Sequence, residues 1–330
     1  MKAIVIDGFG GPEVFKQVEL PRPELKPGHV LLRVVATSVN PVDYKIRSGL
    51  LAAVAPESGI LGGDVAGVVE EVAEDVTGFS PGDEVFGCIG GVIGCPGALA
   101  EYVVADADLL ALKPSNLSLE QAAALPLVSI TAWDGLFDKA RLDGKSAPTV
   151  LVYGGTGGVG HIALQLARQA GCKVHATASS DAKLKIVRDL GADVAINYRE
   201  MDAAAMVAAH TGGNGYDLVF DSVGGDNVVK CFDAAGLNST VVSINTRCTA
   251  DLAPMHQKAL SLHVVFMLIP LASGKGRARH GEILRELTAL VESGSVRPLI
   301  HDQRFAIPDI GAAHTLLQEG GATGKIVLIW

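Results

Sequence analysis

Hydrophobic and polar positions follow two different patterns along the chain. Over the first 110 residues, short β-forming runs recur: KAIVI, VLLRVVATSV, GVVEEV, DEVFG and AEYVVAD. Some alternate apolar and polar residues and others are continuously apolar, as half-buried and fully buried strands do. Pro21, Pro23, Pro27, Pro41, Pro81 and Pro96 fall between these runs, where their fixed φ suits turns. The pattern predicts an antiparallel, barrel-like module. It closes with a helix opened by the capping box Ser118-Leu119-Glu120-Gln121.

From residue 127 helical patterns alternate with strands. The spacing predicts a helix over Leu127 to Arg141, a strand over Thr149 to Gly154, a glycine loop, and a helix from Val159 to Gly171. Strand KVHATA, a helix from Ala182 to Asp189, strand VAINY, a helix through 201–210, and strands YDLVFD and TVVSIN follow. Such alternation predicts a parallel sheet with helices on both faces. The last sixty residues mix a helix near His280 to Ser293, a strand around Phe305, a helix near Pro308 to Glu319 and the strand KIVLIW. No internal repeat is visible.

Composition narrows the class. Hydrophobic residues make up 48% of the 330 and charged residues 19%, enough apolar material for two cores. A net charge of −9 argues against nucleic acid or an anionic membrane as partner, because phosphate binding needs clustered Lys and Arg. The longest apolar run, His263 to Ala272, is far shorter than the roughly 20 residues that cross a bilayer. The N-terminus lacks a signal-peptide core, so a cytoplasmic protein is expected. Cysteines at 88, 95, 172, 231 and 248 form neither a disulfide framework nor a CxxC pair.

The chemistry is concentrated in TVLVYGGTGGVGHIALQLARQAGCKVHATASS, which reads as strand, turn, helix, strand. Gly154, Gly155, Gly157, Gly158 and Gly160 permit positive φ and a close approach of backbone to a pyrophosphate. The following helix directs free N–H groups and its positive dipole end at that anion. Gly155, Thr156, Gly157, Gly158 and Val159 are therefore candidate cofactor contacts. A carboxylate at the end of the second strand would favour NAD. That strand ends Ala176-Thr177-Ala178-Ser179-Ser180, so Ser179, Ser180 and Lys183 are candidates for a 2′-phosphate, which points to NADPH. Asp181 is adjacent and could equally cap the next helix.

The stretches MKAIVIDGFGGPEVF, PRPELKPGHVLLRVVATSVNPVDYKIRSG, LGGDVAGVVEEV, the glycine loop, DLGADVAINY, YDLVFDSVGG and ATGKIVL resemble the zinc-free quinone oxidoreductase branch of the medium-chain dehydrogenase/reductase superfamily, over nearly the whole chain. The resemblance implies an α/β fold: a GroES-like, mostly-β substrate domain from residues 1–126 and 272–330, with a Rossmann doubly wound parallel-sheet domain at 127–271. It implies further cofactor contacts. Thr131 would lie near the nicotinamide, and Lys183 and Tyr198 on the phosphate and adenosine side. Ser222 and Val223 would line the ribose. Ile244, Asn245, Phe266, Met267 and Leu268 would approach the nicotinamide, and Lys325 would close the cleft from the last segment. Phe266 to Leu268 read first as part of an apolar strand.

Metal-dependent relatives carry Cys where this chain has Asn40, and His-Glu where it has Gly63-Asp64, so no metal site is expected. Without a Lewis acid the implied reaction is hydride transfer from NADPH to an already electrophilic acceptor, a quinone or enone. Asn40 is the candidate hydrogen-bond donor to the developing oxyanion, against the alternative that it only fixes its turn before Pro41. Tyr44 is the candidate proton donor. An enoyl-thioester reductase and a non-catalytic, redox-responsive NADPH-binding protein are the alternatives. HVVFMLIPL is too apolar for an open sheet edge, and the resemblance implies that this edge pairs with its twin in a homodimer.

Overall fold

The apolar run near residue 30 becomes the strand around which the first sheet is built. The computed structural model describes residues 1–144 and 147–330, in two units: Met1–Ile130 with Met267–Trp330, and Thr131–Phe266. The division thus falls a few residues inside the expected boundaries of 126 and 272.

The first unit begins with strands β1 (Lys2–Ile6), β2 (Phe15–Glu19) and β3 (His29–Ser38), helix α1 (Pro41–Arg47), and strands β4 (Asp64–Val72), β5 (Glu84–Cys88), β6 (Tyr102–Asp106) and β7 (Leu110–Leu112). Helices α2 (Leu119–Ala122) and α3 (Pro126–Trp133) follow. Ser118 caps α2 through its hydroxyl, with Gln121 answering, as the sequence predicts. Helix α3 starts on Pro126, whose missing N–H costs nothing at a first helical turn. It stops being α-helical after Trp133, well short of Arg141, and continues as a π-helical turn over Asp134–Lys139.

The second unit contains β8 (Thr149–Tyr153), α4 (Gly160–Gln169), β9 (Lys173–Ala178), α5 (Asp181–Asp189), β10 (Val194–Asn197), α6 (Ala203–His210), β11 (Tyr216–Asp221), α7 (Asn227–Ala234), β12 (Ala235–Ser243), α8 (Ala253–Gln257) and β13 (Ser261–Val264). The chain then returns to the first unit with α9 (Ile269–Ser273), α10 (Ala278–Glu292), β14 (Phe305–Ala306), α11 (Ile310–Gln318) and β15 (Val327–Ile329).

In the first unit seven strands form one sheet in the order β14-β15-β3-β4-β5-β7, with β6 on β3. All pairs are antiparallel except β14 with β15. Val30, Leu32 and Val34 of β3 point into one core with Val65, Val69, Val85, Val103 and Leu110. Residues two apart share a face of a strand, and each such side chain contributes roughly 1.5–3 kcal/mol by leaving water.

The second unit is a six-stranded sheet in the order β10-β9-β8-β11-β12-β13, every pair parallel. The order reverses direction between β8 and β11, where doubly wound sheets open a crevice at the carboxyl ends of their strands. Helix α7 went unread in the sequence, although Val228, Cys231 and Phe232 bury one face of it at helical spacing. The predicted strand through Phe266 to Leu268 is not formed. Strand β13 ends at Val264, and α9 starts at Ile269 on a Pro at its first turn, which cannot donate to a ladder.

Candidate cofactor and active site

The turn after β8 is held open by its neighbour β9. Thr177 accepts the Gly155 N–H through its carbonyl at 2.9 Å and the Gly154 N–H through its hydroxyl at 3.0 Å. Gly154 has φ +74°, and Gly157 donates back to the Gly154 carbonyl at 2.8 Å. A Cβ on Gly160 would lie 2.1 Å from that same carbonyl oxygen, so helix α4 can start here only on glycine. The N–H groups of Thr156, Gly158 and Val159 donate no hydrogen bond among the described residues. Free N–H groups at the start of a ten-residue helix form a seat for an anion.

Gly155, Thr156, Gly157, Gly158 and Val159 line this turn after β8, and Ser179 and Ser180 follow β9 directly. No carboxylate terminates β9. Ser180 caps α5, its hydroxyl accepting the Lys183 N–H at 3.4 Å, which places Asp181 inside the helix and not at its cap. Lys183 lies in the first turn of α5, and Tyr198, about half exposed at 48%, follows β10.

Ser222, Val223, Ile244 and Asn245 stand at the ends of β11 and β12, and a residue that sequence reasoning overlooked organises them. Asp221 is fully buried and accepts from Val223 N–H (3.1 Å), Gly224 N–H (2.9 Å), the Asn227 amide (2.8 Å) and the Ser243 hydroxyl (2.8 Å). Its signal was legible as a carboxylate closing the apolar strand YDLVFD. Ser222 donates its hydroxyl to the Tyr153 carbonyl at 2.6 Å, joining the ends of β11 and β8 at the point where the sheet reverses. Thr131 is buried within α3, Phe266 is exposed, and Met267 and Leu268 are buried.

Asn40, Tyr44 and Lys325 belong to the first unit. Asn40 is the N-cap residue of α1 and forms a capping box with Asp43. The Asp43 Oδ2 accepts the Asn40 N–H at 2.7 Å. The Asn40 carboxamide donates to Asp64 Oδ2 at 2.8 Å and accepts from the Lys325 ammonium. Lys325 also donates to the Val39 carbonyl at 3.0 Å and pairs with Asp64 at 3.2 Å. Asp64 further accepts from the Ser38 hydroxyl at 2.6 Å and the Leu127 N–H at 2.7 Å. The Ser38, Asn40, Asp43, Asp64 and Lys325 side chains are buried.

Burial without a cation of its own pushes the Asp43 carboxyl up to about 7, reinforced by the Asp64 charge and opposed by the Asn40 N–H and Lys325. Among the described residues its Oδ1 is buried with no hydrogen-bond partner. Burial also raises the Tyr44 phenol, which stays protonated at neutral pH. Among the described residues no group of three or more His, Cys, Asp and Glu is gathered as a metal ion would require.

An antiparallel β domain joined to a doubly wound sheet with a bare glycine turn defines a nucleotide-dependent oxidoreductase of the dehydrogenase type. Comparison with known proteins agrees. Residues 26–115 match the family described as "Alcohol dehydrogenase GroES-like domain" and residues 190–328 the one described as "Zinc-binding dehydrogenase". The chain is 36% identical to the NADPH-dependent alkenal/one oxidoreductase, chloroplastic, of Arabidopsis thaliana, covering 99% of this chain and 79% of that one. It is 30% identical to the quinone oxidoreductase of Homo sapiens, covering 100% and 98%. The Escherichia coli quinone oxidoreductase, solved in complex with NADPH, superposes with a TM-score of 0.86 at 28% identity and full coverage of both chains. The chain belongs to the quinone oxidoreductase branch of the medium-chain dehydrogenase/reductase superfamily.

Proposed function

We propose that this protein is an NADPH-dependent oxidoreductase that reduces quinones or α,β-unsaturated carbonyl compounds without zinc. The observation that carries the reading is the turn after β8. Its three N–H groups at Thr156, Gly158 and Val159, uncommitted among the described residues, directly precede α4, and the neighbouring strand β9 is followed by serines where NAD sites place a carboxylate. These residues fit a dinucleotide diphosphate, and Ser179, Ser180, Lys183 and Tyr198 fit its 2′-phosphate side. NADPH, when bound, supplies a hydride.

The chain's own residues then have three tasks. Asp221 holds the Ser222–Gly224 turn and the end of β12 in register, so that Ser222, Val223, Ile244 and Asn245 present a fixed edge. The second N–H of the Asn40 carboxamide, which makes no hydrogen bond among the described residues, offers itself to the acceptor's developing oxyanion. Tyr44, a phenol that burial raises further above its ordinary value, is the proton source. A catalytic zinc takes about three Cys, His or carboxylate ligands. Asn40 and Gly63 supply none of these, and Asp64 is already paired with Lys325.

The names of the relatives support the acceptor class, with quinone and alkenal/one substrates among them. The five cysteines are all free, as a reducing cytoplasm would keep them, and no helix among the described residues is long and apolar enough to cross a membrane. Strand β13 lies at the edge of its sheet with Val264 exposed, and Phe266 just after it is exposed too, which supports a homodimer formed through that edge.

The test is steady-state oxidation of NADPH against quinones, enones and enoyl-CoA thioesters, with parallel binding titrations of NADPH and NADH. Turnover with quinones or enones and tighter binding of NADPH are expected. Tighter binding of NADH refutes the cofactor assignment. Turnover confined to enoyl-CoAs moves the enzyme to thioester reduction, and a blank panel leaves a non-catalytic NADPH-binding protein.

A further inference from the structure

We propose that Asp64 is a positioning residue: together with Lys325 it locks the Asn40 carboxamide in one of its two flips and so decides which amide hydrogen is left for the substrate. This rests on the reading of Asn40 as the oxyanion donor and extends it to a residue that touches no ligand in that reading.

The geometry is specific. A carboxamide looks nearly the same both ways round, and only its partners decide where its oxygen points. Asn40 is flanked by a group that can only accept, the Asp64 carboxylate, and a group that can only donate, the Lys325 ammonium. The opposite flip would set the amide oxygen against the carboxylate and the NH₂ against the ammonium, two repulsive pairs in place of two attractive ones. One N–H is therefore bound to Asp64, the oxygen is bound to Lys325, and the direction of the second N–H is determined.

Each member of the lock is itself fixed. Asp64 is the first residue of β4 and is fully buried, with Ser38 at the end of β3 and the Leu127 N–H holding its two oxygens. The Thr37 hydroxyl donates to the Asp64 carbonyl at 2.6 Å. Lys325 is 3% exposed and its ammonium meets three acceptors, Val39 O, Asn40 Oδ1 and Asp64 Oδ2. An ammonium has three N–H donors, so Lys325 has none left for an outside ligand and acts through Asn40. Stability alone does not account for the arrangement, because a buried ion pair can be exchanged for apolar residues of similar volume at little or no cost. An apolar pair would, however, leave the carboxamide free to turn.

A double-mutant cycle on kcat with a quinone acceptor tests this, using wild type, Asn40→Ala, Asp64→Asn and the double variant. NADPH dissociation constants and melting temperatures are measured alongside. Loss of one oxyanion donor is expected to lower kcat roughly 10²-fold in Asn40→Ala. Asp64→Asn should lose a large part of that rate with its NADPH affinity within about twofold of wild type, and the double variant should be no slower than Asn40→Ala alone. A full rate in Asp64→Asn, or single losses that multiply in the double variant, overturns the proposal while leaving the donor role of Asn40 standing. A full rate in Asn40→Ala removes both. If Asp64→Asn does not fold, Lys325→Met takes its place in the same cycle with the same expected and overturning results.

Discussion

At the scale of single residues, the first unit contains a carboxyl group whose ionisation works against the fold. Asp43 is buried, one of its oxygens lacks a partner among the described residues, and its carboxyl is pushed up to about 7. The folded protein therefore holds a proton that the unfolded chain gives up near pH 4, and the associated stability is present at low pH and lost as pH rises from about 4 through about 7. Asp43→Asn should remove this slope. The stability difference between variant and wild type is expected to move in favour of the variant by on the order of 2 kcal/mol between about pH 5 and pH 8. Urea midpoints at the two pH values measure it, and parallel curves for the two proteins would refute it. Taking the difference cancels the background of His175, His280 and His314, whose burial lowers them to about 4, 4 and 3 and which destabilise the fold on acidification below about 6.5.

At the scale of elements, Asp221 binds strand ends to one another. It ties the turn after β11 to the end of β12, while Ser222 ties β11 to β8. Asp221→Asn keeps the shape but replaces an acceptor of four donors with a group having one acceptor oxygen. Hydrogen bonds to a charged group are worth roughly 1.5–3 kcal/mol each, so an NADPH dissociation constant about tenfold higher is expected with α4 and its turn intact. Fluorescence titration gives the value, and unchanged affinity would show that the strand ends keep their register without the carboxylate. Elements also mark how far sequence could be read. The alternation of strands and helices from residue 149 and the glycine turn were legible because both are written in contiguous residues. Helix α1 was hidden in NPVDYKIRSG, where Pro41 reads as a turn although it occupies the first helical position. The apolar run after His263 read as one strand, and a Pro at the start of α9 divides it. The Asn40–Asp64–Lys325 cluster could not be read at all: Asp64 stands 24 residues from Asn40 and Lys325 stands 285 from it, so only the closure of β15 on β3 brings them together.

At the scale of the whole molecule, the parallel sheet ends at β13 on one side. Strand β13 is four residues long, its outer side is unpaired among the described residues, and Val264 and Phe266 are 47% and 52% exposed. A charge on such an edge discourages pairing. Wild type should scatter light as a dimer and Val264→Lys as a monomer with its NADPH affinity retained; a monomeric wild type refutes the pairing. The first unit has a different peculiarity, since its sheet is assembled from segments on either side of the other unit: β15 lies between β14 and β3, and it is encoded after the whole of residues 131–266. A nascent chain leaving the ribosome therefore exposes β3 with one neighbour missing for as long as the intervening residues take to be translated. The second unit can form while that gap persists, whereas the buried cluster around Asn40 is completed last, when residue 325 and the strand behind it emerge. Order of synthesis thus lets the parallel sheet be finished before the last member of the Asn40–Asp64–Lys325 cluster exists.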